Sequence, residues 1–123
     1  MKFWEALLIG SMMRPKQARY AMFDGEGTCA LGAVYEAVGW KPEENPNCRF
    51  ISLPEFAGLV GTGNDACPCG CGENFLFFST VVHLNNEAKW SREKIALEFV
   101  KPIEEAWWAK QEAKELEQEA VVA

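Results

Sequence analysis

Histidine is almost missing from this chain, and positive charge is never concentrated in it. One histidine among 123 residues leaves no second imidazole for a Cys2His2 finger. Twelve Lys and Arg stand against eighteen Asp and Glu, a formal charge of −6, with no basic run. Nucleic acid is therefore not an expected partner, because phosphate contacts need clustered cations. No apolar run approaches the length of a membrane span. Met1–Met13 is apolar, but Glu5 interrupts it, only Lys2 precedes it, and no small-residue cleavage site follows before Arg14-Pro15. A signal peptide is not expected. A soluble, cytoplasmic protein is the expectation, and there an odd set of five cysteines argues for thiols or metal ligands over disulfides.

What the chain does have is apolar mass. Nearly half of it is hydrophobic, with five tryptophans and eight phenylalanines, enough for one domain around a packed aromatic core. The spacing of Phe3, Trp4, Leu7, Leu8 and Met12 predicts a mostly buried helix over 2–13, ended by Arg14-Pro15. Residues 19–23 read as a short strand and Asp24–Gly27 as a turn. Thr28 is the expected cap of a second helix, Cys29–Val38, which Gly39 stops. After a proline-rich loop over 41–47, Ser52-Leu53-Pro54-Glu55 predicts a short helix to about Leu59, with a loop over 61–65 beyond it.

Residues 75–84 fit either a strand or a helix, and the reading leans to helix with Asn74 as its cap. Ser91 is the clearest helix start in the sequence, with Trp90 and Ile95 placed as a staple. Pro102 either kinks that helix or opens a new one. From Ala106 the alternation of Ala109, Ala113, Leu116 and Ala120 has coiled-coil spacing but little more than alanine to bury, so a solvated end is expected. The fold class that follows is mainly α, four to five helices, or α+β with one small hairpin. It is a globular domain over 1–103 carrying a cysteine knuckle at 67–71, with a partly solvated helical extension over 104–123.

Two constellations carry chemistry. Cys67-Pro68-Cys69-Gly70-Cys71 is a tight turn of the sort that presents thiolates to a metal, and eleven residues separate Cys71 from His83. Cys67, Cys69, Cys71 and His83 are thus the expected zinc ligands, since zinc takes four nitrogen or sulfur donors at tetrahedral corners. The fourth position is open among the third knuckle cysteine, Cys48 and Glu87. The second constellation is a thiol enzyme in which Cys29, at a helix N-terminus, is the nucleophile, His83 its base and Asn85 or Asn86 the orienting group. Against it, buried cysteine behaves as a small hydrophobe, and the CALGA run suits close helix packing.

Three segments together resemble a family of short, largely uncharacterised phage and bacterial proteins. They are Arg14-Pro15, Asp24–Ala33 (DGEGTCALGA) and His83–Ala96 (HLNNEAKWSREKIA). The family pattern has a Cys-Pro-x-Cys pair, then His-Leu-Asn-Asp, a second His, a Trp and Ser/Thr-Arg-Glu before Ile-Ala. The resemblance implies metal-ligand-like groups at Cys67, at Cys69 or Cys71, and at His83. Asn86 replaces the family's Asp and Ala88 its second His, which removes the obvious fourth ligand. What the resemblance implies is provenance rather than mechanism. The expected function is a non-enzymatic phage- or mobile-element accessory protein, cytoplasmic in the host, that binds a host or phage protein, with zinc as its one cofactor. A cysteine hydrolase using Cys29 and His83, and a sponge for a small molecule, are the alternatives.

Overall fold

A computed structural model describes residues 1–45, 59 and 66–122. Among these the chain is mainly α-helical: α1 (Phe3–Met13), α2 (Ala30–Ala37), α3 (Phe77–Asn86), α4 (Arg92–Lys94), a π-helical segment (Ile95–Val100) and α5 (Lys101–Val122). The helix expected at Ser52, the loop at 61–65 and Cys48 lie outside the described residues, except that Leu59 sits buried in the core. No described helix is long and apolar enough to cross a membrane.

The core forms where α1, α2, α3 and the π-helical segment meet. Phe77 is its centre, edge-on to Phe3 at 5.2 Å and stacked with Phe99 at 5.6 Å between ring centroids. α1 lies so close to α2 that a Cβ on Gly10 would sit 1.9 Å from the Ala33 carbonyl oxygen. Only glycine permits that approach.

Helix ends follow from local chemistry. α2 begins one residue later than Thr28 capping would place it, because the Cys29 sulfur is the group that accepts from Gly32 N–H, at 3.4 Å. It ends as the sequence implies. Gly39 (φ +118) takes the left-handed position, Trp40 N–H bonds Tyr35 O, and Gly39 N–H bonds Glu36 O. That double closure is a Schellman motif, and the Tyr35 and Trp40 rings pack across it. The 75–84 segment is a helix, shifted to 77–86 and opened by Leu76 rather than Asn74. Ser91 Oγ accepts from Lys94 N–H at 3.1 Å, as a cap should.

Neither a strand at 19–23 nor a hairpin forms among the described residues. Two isolated bridges, Gln17 to Thr28 and Phe23 to Thr28, are all that pairs there. Tyr20 interrupts the extension with φ +62, and the Asp24 carboxylate ties the turn by accepting from Glu26 and Gly27 N–H. Pro102 does not break the last helix. The π-helical turn just before it, where Lys101 N–H reaches Ala96 O, widens the backbone. A proline that can neither donate nor tolerate a close carbonyl then fits in the first turn of α5.

Two buried charges on this C-terminal helical stretch hold α1 at its ends. The Glu104 carboxylate, fully buried, accepts Phe3 N–H at 2.8 Å and Trp4 N–H at 2.9 Å, with Trp108 Nε1 adding a third donor. At the other end Arg92, 2% exposed, donates to Ser11 O, Arg14 O and Pro15 O and to both oxygens of Thr28. An anion at the N-terminus and a cation at the C-terminus both oppose the helix dipole. Burial lowers the Arg92 pKa, yet the carbonyls and the Thr28 hydroxyl satisfy its two terminal nitrogens, while Nε has no partner among the described residues.

Candidate metal centre

The turn at 67–71 is closed by Cys67 N–H to Glu73 O (2.9 Å) and Gly70 N–H to Cys67 O (3.2 Å). Gly70 and Gly72 take left-handed φ values of +84 and +82 with open space around them. Conformation, not crowding, therefore requires glycine there. These bends fold three alternate cysteines inward. α3 brings His83 to them from its last turns, and the Phe75 ring lies 5.0 Å from the imidazole at a 31° tilt.

The four donors converge. Cys67 Sγ stands 3.3 Å from Cys69 Sγ, Cys69 Sγ 3.3 Å from His83 Nε2, and the donor atoms of Cys67, Cys69, Cys71 and His83 all lie within 4.8 Å of one another. A tetrahedral zinc with Zn–S near 2.3 Å asks for sulfur-to-sulfur edges of about 3.8 Å. The observed spacing brackets that value, so the four side chains could hold such an ion with small adjustments. Three sulfurs and one nitrogen are also the donor set that zinc favours over magnesium or calcium. Of the open choices for the fourth ligand, the third knuckle cysteine is the one that joins among the described residues, and Cys48 lies outside them. Glu87 instead accepts from the Tyr20 hydroxyl at 3.0 Å.

Burial grades across the cluster. Cys67 is buried, Cys69 and His83 are half-buried and Cys71 is exposed. Burial pushes the Cys67 thiol up to about 11, while Cys69, accepting from that thiol, falls to about 7. Before a cation enters, Cys69 is thus the thiolate-bearing member, and Cys67 must surrender a proton to bind.

The alternative set of Cys29, His83 and Asn85 is divided among three tasks. The Cys29 sulfur lies 3.6 Å from Met22 Sδ and caps α2. His83 faces Cys69. Asn85 is buried and spends its side chain on structure. Its Oδ1 accepts from Gln17 Nε2 (2.7 Å) and Ala30 N–H (2.9 Å), and its Nδ2 donates to Ala18 O (3.0 Å) and Asn86 Oδ1 (2.8 Å). Sequence reasoning missed this hub, along with Arg92 and Glu104. The one signal that could have marked the last two is a charged residue recurring on the apolar face of a helix. Fold and site together define a small helical domain with a Cys3His cluster able to accept a metal. No protein-family model, curated protein or solved structure matches the chain.

Proposed function

We propose that the chain is a small accessory protein of a phage or mobile element that binds a protein partner, and that a structural zinc ion fastens its 67–71 turn to α3. The convergence of Cys67, Cys69, Cys71 and His83 within 4.8 Å carries the zinc reading. Four protein donors leave no position for a substrate, which is the arrangement of structural rather than catalytic zinc. The partner reading draws support from the acidic balance, from the resemblance to short phage and bacterial proteins, and from Leu76 and Phe78. These two stay exposed at the start of α3. The thiol-enzyme reading has no comparable convergence behind it.

Metal analysis of protein purified without added zinc tests the centre, alongside a Cys67→Ser/Cys71→Ser variant and a His83→Ala variant. About one zinc per chain in the parent, lost in both variants together with a drop in melting temperature, is the expected result. A parent that stays metal-free and keeps its melting temperature in the presence of a chelator would refute the zinc reading. Partner binding is tested separately by affinity capture with Leu76→Ser/Phe78→Ser as the control. A captured protein that both forms retain equally would count against that surface.

A further inference from the structure

Away from the cysteines, a partly open cavity of about 180 Å³ lies between α3, the first turn of α2 and the segment before it. Its wall includes Met22, Cys29, Leu31 and Val82, with Asn85 and Asn86 at one side, and no Asp, Glu, Lys, Arg or His lines it. The charged groups nearest it, Arg19 on the Asn85 carbonyl and Glu87 on the Tyr20 hydroxyl, lie behind lining residues, so the wall itself offers a ligand no counter-charge and favours a neutral occupant. Two sulfur atoms stand together in the wall, Cys29 Sγ and Met22 Sδ at 3.6 Å, and polarizable sulfur packs favourably against aromatic rings. The volume is close to the roughly 150 Å³ that holds a benzene molecule in an engineered protein cavity.

The polar side of the wall adds direction. All the polar atoms of Asn85 are used, which fixes the wall before any ligand arrives. Asn86 differs. Its Oδ1 receives Tyr20 N–H (2.9 Å) and Asn85 Nδ2 (2.8 Å), which sets the orientation of the amide. Its Nδ2 then has no partner among the described residues and remains a donor. At the rim Tyr20 holds the left-handed φ of +62, a conformation uncommon for a non-glycine residue and shared here by Lys89 at +58.

We propose that this cavity binds a neutral molecule the size of one aromatic ring that bears a single oxygen or nitrogen acceptor, received by Asn86. The inference is independent of the zinc reading, because no cavity-lining residue belongs to the cysteine cluster. The test is a methyl NMR titration of the full chain with acetophenone, with benzoate as the charged counterpart. Two variants accompany it: Ala21→Trp, which fills the mouth from an exposed position, and Val82→Phe, which fills the wall. Acetophenone should shift the Met22, Leu31 and Val82 methyl signals saturably, benzoate should bind at least tenfold more weakly, and each folded variant should lose at least tenfold in affinity. Shifts that do not saturate, that fall on other methyls, or that survive in both variants would overturn the proposal. Equal binding of benzoate would do the same.

Discussion

Asn85 joins three stretches of chain through one carboxamide, tying Gln17 and Ala18, the first amide of α2 at Ala30, and its own neighbour Asn86. The cost of removing it is set less by the bonds lost than by the groups stranded, since the Ala18 carbonyl and the Ala30 amide would each lose this partner. Asn85→Ala should lower unfolding free energy by about 3 kcal/mol, measured by urea denaturation. A loss under about 1 kcal/mol would mean that water repairs the site. Asp24 makes a different residue-scale case. Backbone amides of Gly27 and Glu26 hold its carboxyl down to about 2 from an ordinary 3.8. A lowered folded pKa stabilises above the unfolded value, so this contribution is present above about pH 4 and disappears as pH falls toward 2. Asp24→Asn should flatten that part of the stability profile by lowering stability above about pH 4, while leaving it little changed below about pH 2. An unaltered slope between pH 4 and 2 would assign the acid sensitivity to other carboxylates.

At the scale of elements, the contact of α1 with α2 sets two effects of one methyl group against each other. Alanine favours a helix over glycine by about 1 kcal/mol. At Gly10, however, its Cβ would meet the Ala33 carbonyl at 1.9 Å, and a backbone oxygen cannot turn aside. Overpacking should win, with Gly10→Ala destabilising by about 2 kcal/mol net. A neutral or stabilising result in thermal melts would show that the helices can part without cost. The same elements show what could be read in advance. Helices at 2–13, 29–38 and from Ser91 were legible because caps, a stop glycine and apolar spacing agree locally, and the Cys67–Cys71 turn with His83 was legible from donor type and spacing. What stayed hidden depends on partners: among the described residues the strand expected at 19–23 finds only the single bridge of Phe23 to Thr28. The destinations of Arg92 and Glu104 exist only once α1 lies alongside.

For the molecule as a whole, stability is concentrated before residue 109. Glu104 is buried and Trp107 and Trp108 are half-buried, whereas the side chains from Glu112 to Ala120 are exposed and Leu116 is 65% open to solvent. The first turns of α5 are therefore rooted in the core, while its side chains from Glu112 to Ala120 face solvent. Truncation after Lys114 should shift the melting temperature by less than about 3 °C, the scale of a surface change in a domain of this size. A larger drop would show that the exposed turns support the packed ones, or that they pair with another chain.

The two charges that complete α1 have a consequence for how the chain is made. Helix α1 is synthesised ahead of both partners: the guanidinium for its C-terminus follows Ser11 by 81 residues, and the carboxylate for its N-terminus follows Phe3 by 101. Until they arrive, α1 can already pack against α2 and α3, yet it lacks the buried charge that each of its ends requires. Vectorial synthesis thus makes α1 wait for partners that lie far downstream, and its ends become fully satisfied only once residue 104 is free to fold back on it.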